Sequence, residues 1–344
     1  MKCEILTFQF AHNYGALLQC YALKKYVQSL GFDVSVSSFT PESVKNTYAL
    51  WCKLNLKHPK YIVREYSRSF KRLRQYKKFK LFMKQDIGVR CCKSPDYLIV
   101  GSDQIWNEAI TGKITNYYGT EYPSATKIAY AGSFGTSVLT DFQKENVIKF
   151  FSTFSSISLR ETCNLEEITK IIDTKIECVL DPVFLISCDK WSEIARKPNT
   201  EIKGEYILYY ALRQDETLEN KVEELSYKMG CTVLSIHPTC RYMSPKFRKL
   251  NNVGPKEFIY LIKNAAIVCT NSFHAVSFSC IFKKKVMYKA YSKTESRVPT
   301  LVNYCGQKYE KEYVKEYDFS NYNNNLINGK ILESKNFLRE ALSK

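Results

Sequence analysis

Ala265-Ala-Ile-Val-Cys-Thr270-Asn-Ser-Phe-His274-Ala-Val-Ser-Phe278 reads as a buried strand, a tight polar turn and the start of a helix. An apolar run, then small hydroxyl residues, then an amphipathic stretch gives that order. Such a turn aims the free N–H groups of the first helical turn, and the positive end of the helix dipole, beyond the strand. Histidine as a residue type changes charge near neutrality and also meets anions. The competing reading of His274 is a core residue that only satisfies a hydrogen bond.

Outward from this unit the chain repeats the same alternation. In the N-terminal half, strands are expected at 3–8, 33–38, 97–100, 127–131, 156–159 and 177–180, with a helix at 14–30 stopped by Gly31. In the C-terminal half they are expected at 206–210, 232–236, 266–269 and 285–288, with helices at 218–229 and 256–263. Short apolar strands separated by helices imply parallel sheets. The fold class is therefore α/β, with two Rossmann-like domains facing a cleft. Residues 1–190 form the first domain, on the acceptor side, with a basic helical insertion at about 42–90. Residues 204–330 form the second, on the donor side, and 331–344 a terminal helix packing back on the first. The stretch 186–204, with Pro198, Gly204 and no apolar period, is the expected linker.

At 344 residues the chain is long enough for two cores. No apolar run approaches the ~20 residues that span a bilayer. With no basic, apolar and cleavage segments at its start, the expected location is the cytoplasm, at the inner face of the membrane. The 13 cysteines are scattered, several in apolar runs, with no C-x-x-C pair, so a reduced compartment and no structural zinc are expected. The net charge of +17 is concentrated in 57–84, where Lys71, Arg72, Arg74, Lys77 and Lys78 interleave with Tyr76, Phe79 and Phe82. Those spacings fit an amphipathic helix with a cationic face. It reads as a solvated face, or as a peripheral contact with an anionic membrane or a lipid-linked acceptor. No recognition motif accompanies the charge, so no nucleic acid is expected as a partner.

If the strands are parallel, the residues just past their ends share one face. They are small and polar: His12, Asn13, Tyr14 and Gly15; Gly101, Ser102, Asp103 and Gln104; Gly132, Ser133, Phe134 and Gly135; Arg160 and Glu161; Asp181 and Pro182; Ser272, Phe273 and His274. Each has a purely structural alternative as a backbone turn, a helix cap or a turn starter. Six such turns on one face argue for a site.

Four motifs carry a resemblance to the polysaccharide pyruvyl transferase family over nearly the whole chain. They are Asn13-Tyr14-Gly15-Ala16-x-Leu18-Gln19, Val100-Gly101-Ser102-Asp103-Gln104-Ile105-Trp106-Asn107, Leu180-Asp181-Pro182-Val183-Phe184 and Ser272-Phe273-His274-Ala275-x-x-Phe278-Ser279. The resemblance implies a GT-B-like fold and transfer of the enolpyruvyl unit of phosphoenolpyruvate onto two sugar hydroxyls as a cyclic ketal, releasing phosphate. It implies His274 and Arg160 as catalytic residues, and Ser272, Phe273, Lys293 and Arg297 on the donor. Residues His12, Asn13, Tyr14, Gly101, Ser102, Asp103, Gln104, Trp106, Asn107 and Ser133 are then on the glycan acceptor. Lys283-Lys284-Lys285-Val286 departs from the lysine–proline pair usual in relatives, and aligning Lys293 needs a one-residue gap.

That chemistry suits these residue types. Phosphoenolpyruvate is a carboxylate and a phosphate, which arginine binds in a planar fork and a helix start binds through N–H groups. A histidine can move the protons. Arginine, lysine and a helix dipole meet the charge, so no metal or cofactor is expected. The alternatives are a GT-B nucleotide-sugar glycosyltransferase, and a non-catalytic cationic protein binding membrane or nucleic acid.

Overall fold

The computed structural model describes residues 1–50, 59–241, 243–290, 296–310, 314–321 and 324–344. Among these, twelve strands form two six-stranded sheets. The first holds β1 (Lys2–Leu6), β2 (Asp33–Val36), β3 (Tyr97–Val100), β4 (Thr126–Gly132), β5 (Phe154–Leu159) and β6 (Ile176–Cys178). Their order is β2-β1-β3-β4-β5-β6 and every pairing is parallel. The second holds β7 (Tyr206–Tyr210), β8 (Thr232–Ile236), β9 (Arg248–Lys249), β10 (Ile267–Thr270), β11 (Lys285–Tyr288) and β12 (Lys315–Asp318). Here the order is β12-β11-β10-β7-β8-β9, parallel except for the edge strand β12. Every residue of β3 and of β7 is buried, as uninterrupted apolar strands covered on both faces must be.

Helices α1 (Tyr14–Ser29), α2 (Glu42–Tyr48), α3 (Pro59–Phe82), α4 (Glu108–Thr111), α5 (Asp141–Phe150) and α6 (Leu165–Ile171) accompany the first sheet. Then α7 (Cys188–Ile194) crosses to the second, which carries α8 (Glu216–Met229), α9 (Pro255–Asn264), α10 (Phe273–Ile281) and α11 (Arg297–Tyr304). The last helix, α12 (Asn324–Ala341), returns to the first sheet. It starts seven residues before the expected 331, because burial of Ile327 outweighs the turn preference of the asparagines. Ser334 Oγ accepts from Leu180 N at 2.9 Å, and Phe337 packs 6.1 Å from the Tyr130 ring.

The expected linker is more structured than its composition suggests. It contains α7, whose Trp191 is fully buried and donates Nε1–H to Val183 O at 2.9 Å. Trp191 also packs 4.9 Å from Phe278 of α10 and 5.8 Å from Tyr21 of α1. One apolar core runs through this seam, from α1 and β1 to α9, α10 and β10.

The basic helix α3 forms as expected, but its inner face is a strut between the domains. Gln75 Nε2 donates to the Tyr14 hydroxyl and to His237 O, each at 2.9 Å. Lys78 pairs with Glu257 at 2.7 Å and donates to Asn252 O at 2.8 Å, and Arg72 is buried. Phe79 stacks on His12 at 5.0 Å. Among the described side chains, the expectation of a solvated cationic face holds for Lys71, Arg74, Lys77, Lys80 and Lys84, which are exposed.

Two variants separate the faces. Replacing Lys71, Arg74 and Lys77 by Ser should leave stability within about 0.5 kcal/mol, as for ordinary surface sites. Lys78→Ala leaves buried Glu257 without its partner and should cost about 1–3 kcal/mol. Thermal denaturation followed by circular dichroism reads both. Equal melting temperatures would show that the strut is not anchored by Lys78.

Candidate active site

Parallel strands bring the carboxyl ends of both sheets to one opening, where ligands of α/β folds gather. A cleft of about 590 Å³ lies there, between Asn13, Asp103 and Gln104 on one side and Arg213, Arg241 and His274 on the other. That volume is in the range of small-molecule sites.

The β10–α10 turn is fixed by its own polar side chains. Thr270 Oγ1 donates to Tyr210 O at 2.6 Å and accepts from Ser272 N at 3.0 Å. Asn271 ties the turn to the end of β7, accepting from Leu212 N at 2.7 Å and donating to Arg213 O at 3.1 Å. Ser272 is the N-cap of α10, yet its side chain makes no capping bond. The helix start therefore opens toward the cleft with its positive end uncapped.

His274 lies in the first turn of α10, 7% exposed, with Nε2 3.5 Å from Asp181 Oδ2. Its ring rests on Gly15 of α1. A Cβ at position 15 would fall 2.1 Å from His274 Nδ1, so only glycine leaves room for the imidazole. Asp181 is buried and receives four groups. Arg160 reaches Oδ2 at 2.7 Å, Val183 N donates to Oδ1 at 3.1 Å, and Ser102 Oγ lies 3.4 Å away, with His274 the fourth. Burial alone would raise this carboxyl, but His274, Arg160 and Val183 N–H outweigh it and hold Asp181 at about 2. The other arm of Arg160 sits 3.4 Å from Asp103 Oδ1, and its guanidinium lies 4.7 Å above the Phe273 ring.

The residues singled out from the sequence separate into groups. Asn13, Asp103, Gln104, Asn107, Ser272, Phe273, His274 and Arg297 line the cleft. Asn13 also caps α1, accepting from Gly15 N at 3.0 Å. Gln104 and Asn107 are bonded to each other at 2.8 Å, and Gly135, at φ +73°, leaves them the space. Gly101, Ser102, Ser133 and Arg160 lie beneath the floor. The Arg160 side chain is 1% exposed and held between two carboxylates, so it meets Asp181 and Asp103 where an anion was expected. Ser133 donates to Glu161 at 2.6 Å.

Three residues lie away from the cleft. His12 is stacked between Tyr76 and Phe79, and burial beside Arg72 and Lys80 pushes it down to about 3. Tyr14 is buried in the domain seam. Trp106 is core, 5.0 Å from Phe134, its Nε1–H donating to Tyr117 O at 3.0 Å. Lys293 lies outside the described residues.

The sequence pattern did not mark Tyr48, Arg213, Arg241 or His237, and it offered plain turn roles for Gly15 and Asp181 beside their places in the strand-end set. His237 lines the cleft, but burial pushes it down to about 3. Among the described residues, no three His, Cys, Asp or Glu side chains gather as metal ligands.

The sequence model of the polysaccharide pyruvyl transferase family matches residues 13–293. No curated protein sequence matches the chain significantly. Among solved structures, UDP-GlcNAc 2-epimerase from Methanocaldococcus jannaschii is 13% identical, with 100% of both chains covered and a TM-score of 0.53. The same enzyme in complex with UDP-GlcNAc and UDP gives 13% identity, 100% of both chains and 0.51. ADP-heptose lps heptosyltransferase II from E. coli gives 10% identity, 99% of this chain and 98% of that one, and 0.36. At these identities the likeness is one of fold, two Rossmann-like domains in a GT-B-like arrangement.

Gly15→Ala should displace the His274 ring and shift its NMR resonances, while a backbone helix signal remains. Unshifted resonances would mean the ring is not seated on Gly15. Asp181 has its carboxyl lowered on folding, from 3.8 to about 2. The stability it contributes is present above about pH 4 and is lost as the pH falls toward 2. Asp181→Asn should lose about 3 kcal/mol at neutral pH, because Arg160 loses its closest carboxylate, and should lack that part of the acid limb. Urea melts from pH 2 to 7 read both effects. Parallel acid limbs in the two proteins would contradict the assignment.

Proposed function

The chain belongs to the polysaccharide pyruvyl transferase family, and from that premise we propose that it transfers the enolpyruvyl group of phosphoenolpyruvate onto two hydroxyls of a glycan. The product is a pyruvate ketal, and inorganic phosphate is released. The observation that carries this reading is His274, set at the uncapped start of α10 with its Nε2 facing an ionised, buried Asp181.

The phosphate and carboxylate of the donor are held by the positive end of α10 and by Arg297, whose guanidinium lies 5.7 Å from the Phe273 ring. In the first step a sugar hydroxyl adds to C2 of the enol. Its proton leaves through His274, and a proton enters at C3, turning the methylene into a methyl group. In the second step the other hydroxyl displaces phosphate at C2, giving up its proton as phosphate departs. Positive charge that develops at C2 faces Asp103, the carboxylate in the cleft lining. Asp181 orients the imidazole and remains ionised throughout, while Arg160 keeps Asp181 ionised and in place. Asn13, Asp103, Gln104 and Asn107 offer hydrogen-bonding groups to the glycan. The reaction belongs in the cytoplasm, with Lys71, Arg74 and Lys77 meeting an anionic membrane where the acceptor is carried on lipid. Among the described residues, no helix is long and apolar enough to cross a membrane.

His274→Ala should keep the fold and lower kcat by about 10²–10⁴-fold, the usual worth of general acid–base help. Phosphate release from phosphoenolpyruvate with host glycan as acceptor measures it. Wild-type turnover in that variant would remove His274 from the chemistry. Calorimetry with phosphoenolpyruvate and with UDP-sugars tests the donor. Binding of a UDP-sugar alone would overturn the assignment.

A further inference from the structure

The insertion between β2 and β3 also builds a wall of the cleft, since Val44, Thr47 and Tyr48 of α2 line it. Three contacts dock this short helix. Val44 is buried in the core on one face of the first sheet, and Ser43 Oγ donates to Ile110 O at 2.8 Å. At the other end Arg72 of α3 donates to Tyr48 O at 3.4 Å and to Ala49 O at 3.5 Å. A cation on the last carbonyls of a helix meets both their lone pairs and the negative end of the dipole. Arg72 is 2% exposed and also lies 5.8 Å from the Tyr76 ring, so its position is set by packing.

The Tyr48 side chain thereby reaches the floor of the cleft. It shares the cleft lining with Asn13, Asp103 and Gln104. Burial raises the Tyr48 phenol, so it stays a neutral donor and acceptor. A sugar offers hydroxyls and an apolar C–H face, and a half-buried phenol meets both.

We propose that the insertion is an acceptor-recognition arm, in which Tyr48 contacts the sugar and Arg72 is the positioning residue that holds Tyr48 over Asn13 and Asp103. The inference rests on the pyruvyl-transfer reading above and extends its acceptor side. It gives α3 a role in specificity through α2, separate from its exposed cationic face.

The test uses the whole protein, phosphoenolpyruvate and the glycan fraction extracted from the native host, with phosphate release as the signal. Tyr48→Phe should raise the half-saturating glycan concentration about 5-fold, the worth of one lost hydrogen bond. Tyr48→Ala should raise it about 10–100-fold through loss of the ring as well. Arg72→Met should reproduce the Tyr48→Ala effect, and Arg72→Lys should recover part of it. Phosphoenolpyruvate affinity, measured by calorimetry, should change less than about 2-fold in all four.

Unchanged glycan saturation in Tyr48→Ala overturns the proposal. So does Arg72→Met with a lowered melting temperature and normal glycan saturation. Should Arg72→Met fail to fold, Arg72→Lys and the two Tyr48 variants decide. A wild type that neither binds phosphoenolpyruvate nor releases phosphate defeats the pyruvyl-transfer reading, and this inference with it. Wild-type turnover with unaltered variants defeats this inference alone.

Discussion

The ring of Tyr14, on the first turn of a helix belonging to the first sheet, is stacked 4.5 Å from Phe258 and lies 5.6 Å from Tyr210, both of the second. Its hydroxyl donates to Val253 O at 3.0 Å and accepts from Gln75 at 2.9 Å. A side chain committed on every side cannot slide, so the start of α1 has one place against α9 and α10. The contact between Gly15 and His274 follows directly, since Gly15 is the next residue. The same seam that joins the domains thus places the histidine above Asp181. Site geometry and domain packing are here one constraint.

Burying Asp181 and Arg160 together is costly in desolvation, and an apolar pair of the same volume would be at least as stable. What the ions supply is a carboxylate kept charged beneath the cleft floor. Asp103, held at the other end of Arg160, extends the set to the cleft surface. The imidazole Nε2 therefore faces a fixed, charged carboxylate. In the proposed transfer, that arrangement would lower the reorganisation needed as a proton moves.

Much of the fold was legible because strand periodicity and turn chemistry agree along the chain. The turn at Thr270–His274 was readable as strand, turn and helix, and it is one. The insertion was harder. Arg72 and Lys78 look like their exposed neighbours in one dimension, and Ser69, Gln75, Phe79 and Phe82 at matching helical spacing mark the buried stripe. The linker was read from Pro198, Gly204 and the missing apolar period, a pattern that does not register the burial of the single side chain Trp191. At the site, Arg160 was visible as a cation past a strand end. Its two carboxylate partners come from turns 57 and 21 residues away, and no local pattern reveals that pairing. Gly15 was read as a backbone feature, whereas its lack of a side chain serves a ring more than 250 positions later.

The return of α12 to the first sheet closes the core of one domain with a segment that follows the other domain in sequence. Leu338 and Phe337 complete a core begun by Tyr26 and Tyr130, and Ser334 caps the backbone at Leu180. Domains of a nascent chain ordinarily fold as they leave the ribosome, the first before the second. Here the second sheet lies in sequence between two segments that share one core, so the first domain is discontinuous along the chain. A cut before Ser334 would expose the flank formed by Tyr26 and Tyr130.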